Sequence, residues 1–259
     1  MYPLRYLPTG HIFIDPGDYC DQVVDAMLET EYSEEFCLAR DFEEDFISAL
    51  MEAGFLVMSM ELKDDDETPP DNHPTDRFFI LLPKLHLVRS VLFFQDLHIK
   101  KNIRPLLSRY ELRIDTDFDL ILEKCISIHG EAWLTPPLVE IIKNLRQSAA
   151  PGRKSTMTRP LARPFSFGLY RDGELKAGEF GMLTERVYTS YSGYYEEDNA
   201  GTIQMILMAQ WMEKSGFDFL DFGMPLDYKS DLGAQNIKPG RFVELFRKAR
   251  GKQGTVKKE

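Results

Sequence analysis

Residues 165–184 read FSFGLYRDGELKAGEFGMLT and have the pattern of two strands joined by a tight turn. The side-chain pattern has a period of two on both sides of Asp172-Gly173, and an Asp-Gly pair in that position is a strong hairpin signal. A third strand is predicted over residues 187–194, a long helix over residues 199–215 and a fourth strand over residues 217–222. The order hairpin, strand, helix, strand predicts a mixed α/β (α+β) fold.

The same order is similar to the core of the GNAT acyltransferases. We predict that residues 1–95 form an acidic N-terminal helical and strand subdomain, residues 96–245 the GNAT-like domain and residues 246–259 a basic C-terminal tail. In the first part, apolar spacings of three and four predict helices over residues 18–31 and 42–53, and Asp41 with Glu44 has the pattern of a capping box. The other predicted elements are strands at 77–82 and 90–94, a short basic helix at 100–108, a strand at 110–114 and helices at 118–128 and 138–145.

The net charge of −11 conceals two parts of opposite sign. Residues 1–80 hold 20 acidic and 4 basic residues, whereas residues 81–259 hold 22 acidic and 27 basic residues. A polyanion responds to the local patch rather than to the total charge, so the second part allows an RNA-facing side. The basic clusters are Lys100, Lys101, Arg104 and Arg109; Arg153, Lys154, Arg159 and Arg163; and Arg247, Lys248, Arg250, Lys252, Lys257 and Lys258. For each cluster alone, a solvated surface is the other interpretation.

Several classes of protein are disfavoured by what the sequence lacks. No stretch has the pattern of a signal peptide or approaches the roughly 20 apolar residues that span a bilayer, so no membrane partner is expected. Three widely spaced cysteines predict free thiols in a reducing compartment. Neither a P-loop nor a Rossmann, nucleophile-elbow or HExxH motif is present, and the five histidines lack metal-ligand spacing. The turn that would cradle the pyrophosphate of CoA is also missing, so we expect no metal, no cofactor and an acyl donor other than CoA.

Asp221 lies alone on an apolar strand that runs into a glycine-containing loop, Phe219-Leu220-Asp221-Phe222-Gly223. Burying a charge without a partner is strongly disfavoured, so a carboxylate in this setting needs an explanation. Asp221 is therefore the first candidate for a catalytic residue.

An ordered set of short motifs resembles the leucyl/phenylalanyl-tRNA–protein transferase family, which moves an amino acid from its tRNA onto the N-terminus of a protein. The motifs are Leu97-His98-Ile99-Lys100-Lys101, Ala132-Trp133-Leu134-Thr135 with Val139-Glu140, Asp172-Gly173-Glu174-Leu175 with Gly178 and Gly181, Asn199-Ala200, and Asp221 with Leu232-Gly233-Ala234 and Ile237. The resemblance covers roughly residues 38–245. It implies that residues 96–245 form an aminoacyltransferase domain.

The resemblance also implies roles for individual residues. Asp221 matches the active-site Asp of the family, and Trp133 matches a tryptophan that contacts the terminal adenosine of the tRNA, where an indole is a good stacking platform. Apolar lining of the amino-acid pocket falls on Tyr188, Met205, Met212 and Leu220, and contacts to the tRNA acceptor stem fall on Lys100, Lys101, Arg104 and Arg109. For Trp133 and the pocket positions, plain core packing is the other interpretation. The aminoacyl ester is already activated, so Asp221 would accept a proton from the attacking amine, stabilise the developing charge or only orient the site.

Four features depart from the family pattern and bear on the transferred amino acid. A Pro-Trp turn of the family appears as Val57-Met58, a pocket glutamate registers with Tyr191, a glutamine two residues after the active-site Asp registers with Gly223, and a pocket methionine registers with Glu179. Strand alternation puts Glu179 on the face of Ala177 and Gly181, which the resemblance makes the pocket side. We therefore expect Tyr191, Gly223 and Glu179 to contact substrate and the preference to differ from leucine or phenylalanine. A one-residue change of register, turning Glu179 to solvent, is the alternative.

The sequence thus predicts a monomeric cytoplasmic aminoacyl-tRNA–protein transferase whose partners are aminoacyl-tRNA and an acceptor protein or peptide N-terminus. Two alternatives stay open at this point. One is a non-catalytic module that binds aminoacyl-tRNA or peptide on the same scaffold, and the other is a CoA-dependent N-acetyltransferase.

Overall fold

The computed structural model of the protein describes residues 2–62, 77–148 and 162–251. Its strands are β1 Arg5–Tyr6, β2 Ile12–Phe13, β3 Leu56–Leu62, β4 Phe78–Lys84, β5 Arg89–Leu92, β6 Glu111–Ile114, β7 Ala162–Arg171, β8 Glu174–Thr184, β9 Val187–Tyr195, β10 Phe219–Gly223 and β11 Gln235–Ile237. Its α-helices are α1 Cys20–Glu29, α2 Glu44–Glu52, α3 Phe118–His129, α4 Pro136–Ser148, α5 Ala200–Lys214, α6 Asp227–Asp231 and α7 Pro239–Arg250. Two 3-10 helices span Phe94–Asp96 and Arg104–Arg109.

A seven-stranded sheet in the order β11-β5-β10-β9-β8-β7-β6 forms the centre of the molecule. Strands β7, β8 and β9 are antiparallel neighbours, whereas β10 returns through helix α5 to pair parallel with β9. Parallel neighbours need such a crossover, because a short turn reverses the chain direction. The predicted order of hairpin, strand, helix and strand is therefore confirmed, and with it the mixed α/β fold with a GNAT-like core.

The β7–β8 hairpin shows why the Asp-Gly signal was informative. Asp172 and Gly173 both adopt positive φ angles, of 55° and 81°. Two successive left-handed residues are the requirement of the hairpin turn whose twist matches that of the strands. Aspartate and glycine tolerate this conformation better than other residues. The turn sets the pairing of Arg171 with Glu174 and of Tyr170 with Leu175, and a bulge at Lys176 shifts the register beyond it.

Two hydrophobic cores cover the two faces of the central sheet. The first core joins the sheet to helices α1, α2, α3, α4 and α7, and Phe180 and Met182 of β8 point into it. The second joins the sheet to α5 and to the two 3-10 helices, and Ala177 and Leu183 of β8 point into that one. Strand β8 is thus buried on both faces, and its alternation determines which core each side chain enters.

Several elements differ from the sequence-based prediction. Strand β3, paired antiparallel with β4, was not predicted. The capping box of Asp41 and Glu44 does not form, because helix α2 begins at Glu44 and its N-cap residue is Glu43, whose side chain makes no capping hydrogen bond. The predicted basic helix at residues 100–108 is a 3-10 helix over Arg104–Arg109. Residues 63–76 lie outside the described residues, as do Arg153, Lys154 and Arg159 of the second basic cluster.

The predicted division after residue 95 stays a prediction, and the main sheet crosses that point. Strand β5 precedes residue 95 but pairs with β10 and β11. The start of the predicted basic tail belongs to α7, where Phe246 and Ala249 are buried. Arg250 of the same helix forms an ion pair of 2.7 Å with Asp21 of α1. Helix α7 therefore connects the N-terminal region to the central sheet.

Candidate active site

Strands β9 and β10 separate at the point where the candidate residues gather. Their parallel pairing runs from Val187 with Phe219 to Thr189 with Asp221. Just beyond this point the pairing of β8 with β9 shifts register. Phe180 pairs with Ser192 and Gly181 with Ser190, so β9 has one residue more than β8 across this bulge. The pairing of β10 with β5 shifts between Asp221 and Gly223. Bulges of this kind re-aim side chains and are over-represented beside active sites.

Asp221 is fully buried in this region and has well-defined partners. Its two carboxylate oxygens accept hydrogen bonds of 2.8 and 2.6 Å from Nε and Nη2 of Arg89. The hydroxyl of Thr189 and the backbone N–H of Gly223 each donate a further hydrogen bond of 2.9 Å. A two-point arginine–carboxylate pair is the strongest common form of charge pairing. The charge that sequence reasoning left unexplained is therefore compensated by Arg89, which that reasoning missed.

Arg89 is almost as deeply buried as Asp221 and packs against an aromatic ring. Its guanidinium carbon lies 4.2 Å from the ring centroid of Phe242 in α7. Its Nη1, Oγ of Ser90 and Nε2 of His86 are buried without a hydrogen-bond partner in the described part of the chain. Burial, together with the nearby cations Arg89, Lys84 and Lys229, lowers the pKa of His86 to about 2, so this imidazole is neutral. None of these residues was singled out from the sequence.

Glu179 lies on the other side of the sheet, toward the second core. Only 6% of its surface is exposed, so the register change that would turn it to solvent has not occurred. Burial raises the pKa of Glu179 to about 7, and Ser190, Lys229 and Tyr188 oppose that rise. The hydroxyls of Ser190 and Tyr188 are the hydrogen-bonding neighbours of this carboxylate. The face predicted by strand alternation is thus confirmed.

Tyr188 and Lys229 complete the surroundings of Glu179. Tyr188 has no exposed surface, and burial, together with the neighbouring carboxylate of Glu179, raises the pKa of its phenol well above the usual value. The Tyr188 ring fills the space beside Gly181 in which another residue would place its side chain. A Cβ at position 181 would lie 2.8 Å from the tyrosine oxygen, which is too close. Lys229 of α6 donates to the carbonyls of Phe222 and Met224 at 2.7 and 2.9 Å. Burial lowers the pKa of Lys229, and Glu179 opposes this.

The sequence-predicted substrate residues fall into two groups on opposite faces. Tyr188, Met212 and Leu220 are buried in the second core, and Met205 packs against it. Trp133 and Tyr191 pack instead against the first core, with ring centroids 6.4 Å apart. The Tyr191 hydroxyl accepts a hydrogen bond of 3.0 Å from the N–H of Val57. Gly223, with a φ of 72°, lies on β10 beside Asp221.

The predicted tRNA-contacting residues lie together on the surface. Lys100, Lys101, Arg104 and Arg109 are all exposed. Lys100 forms an ion pair of 2.7 Å with Asp231 of α6, the helix that also carries Lys229. The exposed basic residues and the buried polar residues are thus connected through one short helix.

A second candidate surface is a groove between α3 and α4, beside Trp133. It is lined by Ile126, Glu131, Leu134, Pro136, Val139, Glu140, Lys143, Asn144 and Gln147. The groove is separate from Asp221 and Glu179. Among the described residues, no group of three His, Cys, Asp or Glu side chains is placed to hold a metal ion. No α-helix in the described ranges is both long and apolar enough to cross a membrane.

The sheet order and the crossover helix define the chain as a protein with a GNAT-like core. A family model described as leucyl/phenylalanyl-tRNA protein transferase matches residues 91–247, which include both separating strands. The chain belongs to the leucyl/phenylalanyl-tRNA–protein transferase family.

Individual relatives are distant. The leucyl/phenylalanyl-tRNA–protein transferase of Pseudomonas putida (strain W619) is 27% identical over 163 residues, covering 61% of this chain and 66% of the relative, just under two thirds of its length. The enzyme of that name from Campylobacter lari is 26% identical over 161 residues, covering 62% of this chain and 68% of its own. Among solved structures, FemX matches with a TM-score of 0.45 and 10% identity, covering 91% of this chain and 81% of its own. A GCN5-related N-acetyltransferase from Kribbella flavida matches with a TM-score of 0.33 and 12% identity, covering 86% and 73%.

Proposed function

We propose that this protein is an aminoacyltransferase that moves an amino acid from aminoacyl-tRNA to the N-terminal α-amine of a protein. The observation that carries the proposal is the family match, because residues 91–247 contain both strands that part beside the buried polar residues. Membership of a fold class alone would not support an activity, because sites rather than scaffolds determine function.

The proposed reaction depends mainly on holding the two substrates in the correct orientation, because the ester is already activated. The α-amine of the acceptor attacks the ester carbonyl carbon of aminoacyl-tRNA, a C–N bond forms, and the C–O bond to the terminal ribose breaks. One amine proton leaves, and the ribose oxygen gains one. The unperturbed pKa of an α-amine is about 7.7–8.0, so a substantial share of the amine is already neutral near pH 7.5. Holding the two reactants in contact removes much of the entropic barrier.

Asp221 acts in this proposal as a positioning residue. Four hydrogen bonds match the roughly four lone-pair sites of a carboxylate, so no lone pair of Asp221 is left to face the attacking amine. It holds Thr189 of β9 and the backbone of Gly223 on β10, the two strands that part at this point. Asp221 therefore affects the reaction by fixing how far β9 and β10 separate from each other beside the substrate.

We assign each part of the aminoacyl-tRNA to a surface of the protein, using the two faces of the central sheet and the basic residues. The side chain of the transferred amino acid binds on the face of the central sheet that α5 covers, called here the α5 face. The residues assigned to it there are Glu179, Tyr188, Met205, Met212 and Leu220. Trp133 and Tyr191 stack on the terminal adenosine from the other face. The basic patch of Lys100, Lys101, Arg104 and Arg109 contacts acceptor-stem phosphates, since phosphate contacts supply most of the affinity of such interfaces.

We further propose that the protein works as a monomer in the cytoplasm, where aminoacyl-tRNA is made, and that residues 1–95 form a subdomain. The test of the function is transfer of labelled amino acids from charged tRNAs to a peptide with a free N-terminus. An N-acetylated copy of that peptide is the matched control. Labelling of the free peptide alone supports the proposal. Labelling of neither peptide with any amino acid, together with acetylation of the free peptide from acetyl-CoA, would refute it.

A further inference from the structure

Exposed apolar side chains are concentrated at one end of the central sheet, beside Asp221. Five large hydrophobic side chains, each 40–49% exposed, lie on the loop that precedes β5 and on the segment that joins β10 to α6 and continues into that helix. These residues, called here the apolar patch, are Leu87, Val88, Met224, Leu226 and Tyr228. A cluster of exposed apolar side chains on a folded domain marks a site of interaction, whereas single ones are ordinary.

The two segments that carry the apolar patch lie side by side. Ser90 of β5 pairs with Gly223 of β10 in an antiparallel arrangement, so the chain before β5 and the chain after β10 leave the sheet at the same end. His86, in the first segment, approaches the second one closely, since a Cβ at position 223 would lie 3.6 Å from the imidazole Nε2. The apolar patch is therefore a single surface built from two distant parts of the chain.

A buried lysine holds the second segment in a defined shape. Nζ of Lys229 donates to the carbonyls of Phe222 and Met224 at 2.7 and 2.9 Å. The backbone N–H of Lys229 donates to the carbonyl of Leu226 at 3.0 Å. Because these bonds already order the backbone, a partner that binds to the exposed side chains pays less of the entropic cost of ordering them.

The apolar patch borders the residues assigned to the reaction. Gly223, where the second segment leaves β10, donates its N–H to Asp221 at 2.9 Å. Tyr228 interacts electrostatically with Glu179, and Lys229 does so with both Glu179 and Asp221. A partner bound to the apolar patch would thus lie next to the point where β9 and β10 separate. In the proposed reaction, the acceptor amine has to reach the aminoacyl ester at this point.

The charge around the apolar patch favours a polypeptide over RNA. The two segments, residues 85–89 and 224–230, have one exposed charged side chain, that of Asp227, because both of their basic side chains are buried. Phosphate contacts need exposed cations. Those cations belong to the basic patch at the other end of α6, where Lys100 pairs with Asp231 at 2.7 Å. An acceptor N-terminus combines a positive α-ammonium with side chains that can be apolar, and it is complementary to this surface.

We infer that the apolar patch binds the first residues of the acceptor polypeptide and selects acceptors with apolar side chains directly after the N-terminal residue. The inference rests on the proposed function, because it takes the acceptor as the partner of the transfer site. In this arrangement the α-amine lies beside the separating strands, and the second and third side chains of the acceptor contact the apolar patch. Asp227 attracts the ammonium form of the approaching N-terminus and repels acidic side chains near it.

The test uses two peptides with a free N-terminus, one with leucine and phenylalanine at its second and third positions and one with aspartate at both. The double variant Val88→Asp with Met224→Asp places charge in the apolar patch. Ile128→Asp is the matched control, because Ile128 is 55% exposed on α3, outside the apolar patch. We expect the wild type to bind the apolar peptide at least about tenfold more tightly, which is the effect of burying one large apolar side chain. In the double variant the KM for this peptide should rise by a similar factor, while the KM for aminoacyl-tRNA and the control stay unchanged.

A milder variant, Leu226→Ser, keeps the test decisive if the double variant does not fold, and it should raise the KM for the apolar peptide by a smaller factor. Equal KM values in the wild type and in Leu226→Ser, or equal binding of the two peptides by the wild type, would overturn the inference. A wild-type dimer that dissociates in the double variant would also overturn it, because a second copy would then occupy the surface. Weaker tRNA binding with unchanged peptide binding would do the same in favour of RNA.

A binding measurement separates this inference from the proposed function. Fluorescence anisotropy follows the two peptides, labelled at their C-termini, as each protein is added without tRNA. If no transfer occurs with any amino acid but the wild type prefers the apolar peptide and the double variant loses that preference, the proposed function fails and the inference about the surface stands. If transfer occurs and the double variant binds and uses both peptides as the wild type does, the function stands and the inference is overturned.

Discussion

Replacing Asp221 by asparagine is expected to destabilise the protein by about 3–5 kcal/mol, the usual cost of breaking a buried ion pair from one side. Asparagine keeps the size of the side chain but removes the charge that Arg89 faces at 2.6 and 2.8 Å. Arg89 has only 1% of its surface exposed and would stay buried as an unpaired cation. Against the 5–15 kcal/mol typical of a domain, such a loss is large.

Urea unfolding followed by circular dichroism measures this change, with the free energy of unfolding taken by linear extrapolation. Asp231→Asn is the control, because Asp231 also pairs with a basic residue, Lys100, but is 60% exposed. Exposed pairs are worth about 0–1 kcal/mol, so the control should lose no more than that. The double variant Arg89→Met with Asp221→Leu should cost less than the sum of the two single changes, because it leaves no charge unpaired. An Asp221→Asn protein within 1 kcal/mol of the wild type, or a strictly additive double variant, would refute this reasoning.

Three further results are expected. Charge reversal at Lys101 and Arg104 should weaken tRNA binding by at least tenfold at low salt and flatten its salt dependence, whereas reversal at Arg241, an exposed residue of α7, should not; equal effects would argue against the basic patch. Because folding raises the pKa of Glu179 from 4.5 to about 7, its contribution to stability should be fully present below pH 4.5 and fall by roughly 3 kcal/mol as pH rises to about 7. Glu179→Gln should lack this fall, and parallel stability curves for the two proteins would contradict the assignment. Finally, the three buried cysteines, whose thiol pKa values are raised by burial, should react with a thiol reagent only after unfolding, and rapid native labelling would show the opposite.

The face of Glu179 could be predicted because it depends on local geometry. Strand alternation has a period of two, and it runs without interruption along β8 from Ala177 to Leu183, beyond the bulge at Lys176. The burial of Ala177, Glu179 and Leu183 on the side of α5 follows from that alternation. The same local rules predicted helix α5, which begins one residue after the predicted start and ends before Gly216.

The partner of Asp221 could not be predicted, because it depends on long-range pairing. Arg89 lies 132 residues away along the chain and reaches Asp221 only because β5 inserts between β10 and β11. Helix α7 was missed for a different reason. It begins with Pro239-Gly240, which resembles a loop, and the basic residues of its last turn resembled a tail. In the fold, Arg247 and Arg250 pair with acidic residues of α1.

The measurement that tests the central claim most directly is photo-crosslinking of the aminoacyl group itself. The wild-type protein is irradiated with a tRNA whose amino acid carries a diazirine, and the attachment site is mapped by mass spectrometry. The account predicts attachment within residues 179–192 or 220–229, where β9 and β10 part. Attachment confined to residues 126–147, along the groove between α3 and α4, would contradict it.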